Sequence, residues 1–168
     1  MLENIQTSKK PIFMNHNDAE ILLVEDSVDD AEMTIRALKK INLANRLVHL
    51  EDGQEAVDYL FSKGKYENRE LPKQPKVILL DIKMPRMDGI EVLRQIKSKE
   101  ATRMIPVVVM TSSGEEKDMI ATYSLGVNSY VIKPVNFESF GKVVSELGLY
   151  WLLTNQTPKT AAINKKVV

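Results

Sequence analysis

Four hydrophobic segments of this chain end in residues whose side chains can do chemistry. Glu25 and Asp26 follow the first segment, Asp81 follows the second, Thr111 ends the third, and Lys133 follows the fourth. If the segments are parallel strands of one sheet, their carboxyl ends lie along one edge and these side chains converge there. The sequence therefore predicts one site that combines three carboxylates, a hydroxyl and an ammonium group.

The clustered carboxylates restrict what this site can be. Two carboxylates about 4 Å apart repel by roughly 4 kcal/mol at an effective dielectric near 20, so three require a compensating cation. Carboxylate and carbonyl oxygens with water are the ligands that Mg2+ prefers, and Mn2+ can substitute. Beside such an ion the Asp81 carboxylate can attack phosphorus and form an acyl phosphate, with Lys133 and Thr111 binding the phosphoryl oxygens. We therefore predict a divalent-metal and phosphoryl site.

Each of these residues also has an ordinary structural interpretation. Acidic residues at strand ends are often helix caps, Thr111 can be a turn residue, and Lys133 can be a solvated charge. The order Glu-Asp, Asp, Thr and Lys-Pro at four successive strand ends nevertheless favours a single site over four coincidences.

A parallel sheet explains how the four ends come together. Strand-like apolar segments occupy residues 21–24, 46–50, 77–80, 105–110 and 129–132. Segments with apolar residues at helical spacing lie between them, Ser27 or Asp29 can cap the first helix, and a fifth helix begins near Asn136 and can run past Trp151. With right-handed crossovers this alternation predicts an α/β, flavodoxin-like (βα)5 doubly wound fold, a five-stranded parallel sheet of order 2-1-3-4-5. Strands one and three then flank the point where ligands bind.

Composition narrows the class of protein. The 168 residues, 43% of them hydrophobic, fit one globular domain, and the formal net charge of +0 gives no basic field for nucleic acid. Cysteine is absent, which excludes thiol chemistry, and no apolar stretch approaches the ~20 residues of a membrane span. We expect a cytoplasmic protein that contacts neither nucleic acid nor membrane. Its predicted parts are a flexible arm (1–18), the domain with an extended last helix (19–153) and a flexible tail (154–168).

The motifs at the strand ends resemble those of the receiver domain of two-component response regulators. They are ILLVED (21–26), LDIKMPRMDG (80–89), VMTS (109–112) and YVIKP (130–134). The resemblance covers about residues 20–147. It implies a signalling protein rather than an enzyme: Asp81 accepts phosphate from a sensor histidine kinase, and the chain catalyses only its own phosphorylation and dephosphorylation.

The resemblance also assigns roles to individual residues. It implies that Mg2+ is held by Glu25, Asp26, Asp81 and the backbone carbonyl of Lys83. It further implies that Thr111 and Lys133 bind the phosphoryl group.

Three further expectations concern the surroundings of this site. The resemblance implies a cis bond between Lys133 and Pro134, which would aim the ammonium inward. It also implies that phosphorylation draws the Thr111 hydroxyl toward the phosphate and turns Tyr130 inward, although an aromatic residue at a strand end can simply be packing. As a hypothesis, Lys83 shields the acyl phosphate or pairs with it and slows its hydrolysis.

Two extensions beyond a minimal receiver narrow the resemblance. The polar stretch at 63–76, predicted as a long surface loop, and the apolar continuation at 147–153 are similar to the small response regulators of cyanobacterial and bacterial phytochromes. The apolar residues of that continuation are Leu149, Trp151, Leu152 and Leu153. They indicate either packing on their own domain or a homodimer through the fourth helix, the last strand, the last helix and the extension. Few residues follow 153, so we expect output through a downstream protein rather than a DNA-binding domain.

Other functions share parts of this pattern. An aspartyl-phosphate phosphatase also has an aspartate after an apolar strand, but normally carries a second one where this chain has Lys83. A flavin-binding electron carrier shares the topology, but Glu25 and Asp26 would repel the flavin phosphate. Within the receiver family, a phosphorelay intermediate or a chemotaxis-type regulator for a kinase that does not sense light remains an alternative.

Overall fold

A parallel sheet with helices on both faces forms the body of the protein. The computed structural model describes residues 19–68 and 74–158. The strands are β1 (Ile21–Val24), β2 (Leu47–Leu50), β3 (Val77–Leu80), β4 (Val107–Thr111) and β5 (Ser129–Ile132). The helices are α1 (Val28–Lys40), α2 (Gly53–Leu60), α3 (Gly89–Ser98), α4 (Glu116–Ser124) and α5 (Phe137–Leu149). The strand order is β2-β1-β3-β4-β5 and all pairs are parallel, which confirms the predicted fold class.

The strand register brings the ends of the strands to one level. Val24, the last residue of β1, is aligned with Leu80, the last residue of β3. Thr111 at the end of β4 is aligned with Ile132 at the end of β5. The residues that follow these strands therefore leave the sheet side by side.

The apolar runs follow from burial on both faces of the sheet. In β1, Leu22 and Val24 pack in the cluster that α2 and α3 cover, whereas Ile21 and Leu23 pack in the cluster that α1 and α5 cover. Every residue of β1 and β3 is buried. Continuous burial leaves no polar position inside a strand, so the first polar residue after it marks its end.

Side-chain caps determine where four of the helices begin. Ser27, Asp52, Asp88 and Asn136 each accept a hydrogen bond from a backbone N–H in the first turn of α1, α2, α3 and α5, respectively. Of the two candidates for α1, Ser27 is therefore the cap. Glu25 and Asp26 thus precede the helix and project from the sheet edge without serving as its cap.

The segment before β3 is partly ordered against α2. Residues Gly64–Tyr66 form a short 3-10 turn. The Tyr66 ring meets the Tyr59 ring edge-on at 5.2 Å between centroids, and its hydroxyl donates to Glu55 Oε1 at 2.8 Å. The predicted surface loop therefore begins with a packed turn, and residues 69–73 lie outside the described ranges.

The continuation after α5 packs partly on its own domain. A π-helical turn, Tyr150–Thr154, extends α5, with Leu152 buried and Trp151 packed against the cluster under α1 and α5. Leu149 and Leu153 are exposed. The prediction that these residues pack on their own domain is thus confirmed for two of the four, Trp151 and Leu152. The predicted arm (1–18) and residues 159–168 of the predicted tail lie outside the described ranges.

Within the described ranges, no helix has the length and apolarity needed to cross a membrane.

Candidate metal and phosphoryl site

The three predicted carboxylates meet at the carboxyl edge of the sheet. Glu25, Asp26 and Asp81 each offer an oxygen atom, and these atoms all lie within 4.8 Å of one another. Glu25 and Asp81 are buried, whereas Asp26 is exposed. The cluster is therefore walled on the protein side and open to solvent beside Asp26, as a site that admits an ion and a phosphoryl group must be.

Lys133 neutralises part of this charge from the end of β5. Its Nζ lies 2.5 Å from Glu25 Oε2, 2.7 Å from Asp30 Oδ2 and 3.2 Å from Asp81 Oδ2. Burial alone would lower the pKa of Lys133, but its hydrogen bonds to Asp30 and Glu25 outweigh burial and hold it above its ordinary range. The lysine is therefore a permanent cation in the site.

The predicted cis bond at Lys133–Pro134 is wrong. Every peptide bond within the described ranges is trans. Before proline the trans form is still favoured by about 0.5–1 kcal/mol, and here the lysine ammonium reaches the carboxylates with a trans bond.

Burial makes the carboxylate of Glu25 a weak acid. Desolvation, reinforced by the charge of Asp81 and opposed by Lys133, raises the pKa of Glu25 from 4.5 to about 7. The metal-free site therefore disfavours the ionised form of Glu25, and a divalent cation beside this carboxylate would offset that cost. The hard oxygen donors fit Mg2+ or Mn2+.

This shift predicts how the stability of the metal-free protein depends on pH. The folded state binds the Glu25 proton more tightly than the unfolded state, so the contribution is fully present below 4.5 and is lost as the pH rises through about 7. We expect thermal unfolding in a chelator to move to lower temperature over this window. Saturating Mg2+ should remove the decline, because the cation favours the ionised carboxylate.

Glu25→Gln is the matched variant for this titration, because it keeps the shape of the side chain without the proton equilibrium. Its unfolding temperature should change less over the same pH window in chelator. An equal decline in both proteins would assign the effect to other groups.

Hydrogen bonds hold the Asp81 carboxylate and the Glu25 backbone in place. The Lys83 N–H donates to Asp81 Oδ1 at 3.1 Å. On the other side, His49 Nε2 lies 2.8 Å from the carbonyl oxygen of Glu25. Since a carbonyl oxygen only accepts, this ring nitrogen carries the proton. His49 on β2 thus positions the backbone of the acidic pair, a role that sequence reasoning missed.

A second network connects the end of β4 to α4. Thr111 Oγ1 accepts from the Ser113 N–H at 3.2 Å, and the Tyr130 hydroxyl donates to the Ser113 carbonyl at 2.9 Å. The Ser113 hydroxyl in turn donates to Asp118 Oδ2 at 2.7 Å. The predicted switch residues Thr111 and Tyr130 are therefore joined through one loop residue, Ser113.

The side chain of Lys83 belongs to this second network. Its Nζ lies 2.8 Å from Asp118 Oδ2 and 3.8 Å from Glu115 Oε1. Hydrogen bonds from Lys83 and Ser113 lower the pKa of Asp118, which is therefore ionised. The Lys83 ammonium is held toward α4 in this structure, so shielding of an acyl phosphate would require it to leave Asp118.

Comparison with known proteins identifies the family. The model of the response regulator receiver domain matches residues 21–145, which include all the residues of the predicted site. This chain belongs to the response regulator receiver family. The assignment agrees with the resemblance of its strand-end motifs.

Relatives of this receiver include two regulators that match it over most of their length. It is 44% identical to the probable methanogenesis regulatory protein FilR2 of Methanothrix harundinacea, over 84% of this chain and 88% of FilR2. It is 41% identical to the response regulator Rcp1 of Synechocystis sp., over 82% of this chain and 92% of Rcp1. The receiver is therefore similar over most of its length to whole regulators of this kind.

Two solved structures with the same fold are a metal-bound and a phosphorylated response regulator. The Mn2+-bound form of Rcp1 has a TM-score of 0.75, covering 82% of this chain and 97% of that chain at 41% identity. The phosphorylated cyanobacterial phytochrome response regulator RcpA has a TM-score of 0.77, covering 84% of this chain and 99% of that chain at 37% identity. The receiver fold of this chain is thus shared with one protein that holds a divalent metal and another that carries phosphate.

Proposed function

We propose that this receiver accepts a phosphoryl group on Asp81 from the phosphohistidine of a sensor kinase, with Mg2+ in the acidic cluster. The observation that carries the proposal is the meeting of three carboxylates within 4.8 Å beside the Lys133 ammonium. Glu25, Asp26, Asp81 and the backbone carbonyl of Lys83 would hold the ion. When bound, Mg2+ or Mn2+ would supply positive charge to the phosphoryl oxygens.

The reaction is a displacement at phosphorus in which this chain supplies the nucleophile. A carboxylate oxygen of Asp81 forms a bond to phosphorus, the bond from phosphorus to the histidine nitrogen breaks, and the electron pair stays on the imidazole. Lys133 donates N–H bonds to a phosphoryl oxygen, and Thr111 donates its hydroxyl to another. The N–H of Lys83 orients the nucleophile through its contact with Asp81 Oδ1.

Thr111 and Tyr130 are the proposed switch. The support is their connection through Ser113, because a movement of the Thr111 hydroxyl toward phosphate would break its bond to the Ser113 N–H. The Tyr130 hydroxyl donates to the carbonyl of Ser113, so a movement of Ser113 would break this bond or change the orientation of the Tyr130 side chain. The chain acts on itself alone in this scheme and not on a separate substrate.

Incubation with acetyl phosphate and Mg2+ tests the phosphoacceptor function. We expect one labile phosphoryl group per chain, seen by intact-protein mass spectrometry and lost in alkali. Continuous release of inorganic phosphate at a high rate would indicate a phosphatase, and a coloured preparation would indicate a flavoprotein. An unmodified protein would contradict the proposal.

The proposed kinase is a phytochrome-type light sensor. Supporting it is the similarity to RcpA, a cyanobacterial phytochrome response regulator. The alternative is a kinase that does not sense light, and its support is the 44% identity to FilR2, whose name refers to methanogenesis. In either case the site chemistry is the same, and the proposed location is the cytoplasm.

The proposed output is a contact with a downstream protein, together with a homodimer on the α4–β5–α5 face. This face exposes Ile120 and Tyr123 on α4 and Ile132 on β5, and the continuation adds Leu149 and Leu153. Several exposed apolar side chains on the elements of one domain commonly mark an interface.

Sedimentation of the Mg2+-bound protein with and without beryllium fluoride tests the dimer. We expect a dimer in at least one of the two states, and Ile120→Ser should weaken it. Met104→Ser is the matched control, because it removes an exposed apolar side chain from the loop between α3 and β4. A monomer in both states would contradict the proposed dimer.

A further inference from the structure

The Lys133 ammonium has no hydrogen left to give in this structure. Its three N–H groups face three carboxylates, those of Glu25, Asp30 and Asp81. Phosphorylation converts the singly charged Asp81 carboxylate into an acyl phosphate with about two negative charges, whose terminal oxygens need N–H donors. One N–H can pass from Asp81 to the phosphoryl oxygens, so a second N–H must come from the bonds that Lys133 makes to Glu25 or Asp30.

Burial distinguishes the partner that can leave. The side chains of Glu25 and Asp81 are 3% and 8% exposed, whereas that of Asp30 is 29% exposed. Releasing a buried carboxylate leaves it without water or a partner, which is costly. Asp30 can be hydrated as it leaves, and it stays in the first turn of α1, where the helix N-terminus favours a negative charge.

Asp30 also has no assigned place among the metal and phosphoryl ligands. It lies in α1 and reaches the site only through Lys133, from 103 residues away in the chain. Its backbone bonds, to the Ser27 hydroxyl and from the Thr34 hydroxyl, belong to the helix and do not involve its carboxylate. The carboxylate of Asp30 is therefore used for the lysine and can be changed without altering these backbone bonds.

We propose that Asp30 is a positioning residue that holds the Lys133 ammonium in the unphosphorylated protein and gives it up to the phosphoryl group. This inference rests on the proposed phosphoacceptor function of Asp81. The Asp30 carboxylate then competes with the phosphoryl group for an N–H of Lys133 and repels the phosphoryl charge. The same negative charge of Asp30 attracts the metal ion. Neutralising Asp30 should therefore weaken metal binding and strengthen binding of a phosphoryl mimic.

Calorimetric titration of three proteins tests whether the affinities for metal and for a phosphoryl mimic change in opposite directions. Wild type, Asp30→Asn and Asp29→Asn are titrated first with Mg2+ alone and then with beryllium fluoride at saturating Mg2+. For Asp30→Asn we expect Mg2+ affinity to fall about threefold or more and beryllium fluoride affinity to rise by about the same factor. Asp29→Asn is the matched control, because it removes the same charge from the same helical turn at an exposed position. It should change both affinities by less than about twofold.

The outcomes separate this inference from the proposed function. If wild type binds Mg2+ but no beryllium fluoride, the phosphoacceptor function itself fails. If wild type binds both and Asp30→Asn behaves like Asp29→Asn, or shifts both affinities in the same direction, the role of Asp30 is overturned. Asp30→Ser, which keeps a small polar residue in the first helical turn, is the second variant and must give the same pair of signs.

Discussion

Asp81→Asn is expected to abolish labelling by acetyl phosphate while leaving the fold intact. An amide is no nucleophile toward phosphorus, so the modified fraction should fall to background. The amide oxygen can still accept a hydrogen bond from Lys133 or from the Lys83 N–H, and one negative charge leaves a crowded cluster. We therefore expect a free energy of unfolding within about 1 kcal/mol of wild type.

Asp118→Asn is the control for this experiment. Asp118 is also a buried aspartate paired with a lysine ammonium, that of Lys83, but it lies on α4 and outside the acidic cluster. Its asparagine variant should still be labelled. Retained labelling of Asp81→Asn would show that another carboxylate accepts the phosphoryl group, and loss of labelling in both variants would remove the specificity of the result.

Gly89→Ala is expected to destabilise the protein and to disturb the site together. A Cβ atom at Gly89 would lie 2.7 Å from the Cα of Ile82 and even closer to the backbone carbonyl oxygen of Asp81. These are backbone atoms, which cannot turn aside as a flexible side chain can. Either α3 or Asp81, the proposed nucleophile, must move, so we expect a loss of about 3 kcal/mol or more in the free energy of unfolding. Urea denaturation measures this loss, and Mg2+ affinity should fall with it.

Gly141→Ala provides the comparison with opposite sign. Gly141 lies inside α5, and a Cβ there would meet nothing within 4 Å. Alanine inside a helix is more favourable than glycine by up to about 1 kcal/mol, so this variant should be slightly more stable than wild type. If the two variants had equal unfolding free energies, close packing of Gly89 against the Asp81 backbone would not matter for stability.

Local sequence patterns predicted most of the fold and the acidic residues of the site. Strands buried on both faces have uninterrupted apolar sequences, and alternation with helical segments allows few topologies. The polar residue that ends such a strand is conspicuous, which is why the positions of Glu25, Asp26 and Asp81 at one edge could be predicted. The predicted ends of β1, β3 and β4 lie within two residues of those in the structure because continuous burial, rather than propensity, defines these three strands.

The tertiary structure decided which side chains complete the site. Asp30, His49 and Asp118 act through partners on other elements, and each by itself looks like an ordinary residue of a helix or a strand. The trans bond at Lys133–Pro134 was equally beyond the sequence, because the two isomers differ by only about 0.5–1 kcal/mol and the surroundings select one. The sequence by itself determined the sheet, its order and the acids along its edge, since burial and alternation are local signals. Which carboxylates share the ammonium of Lys133 depends on distances between segments that only folding brings together.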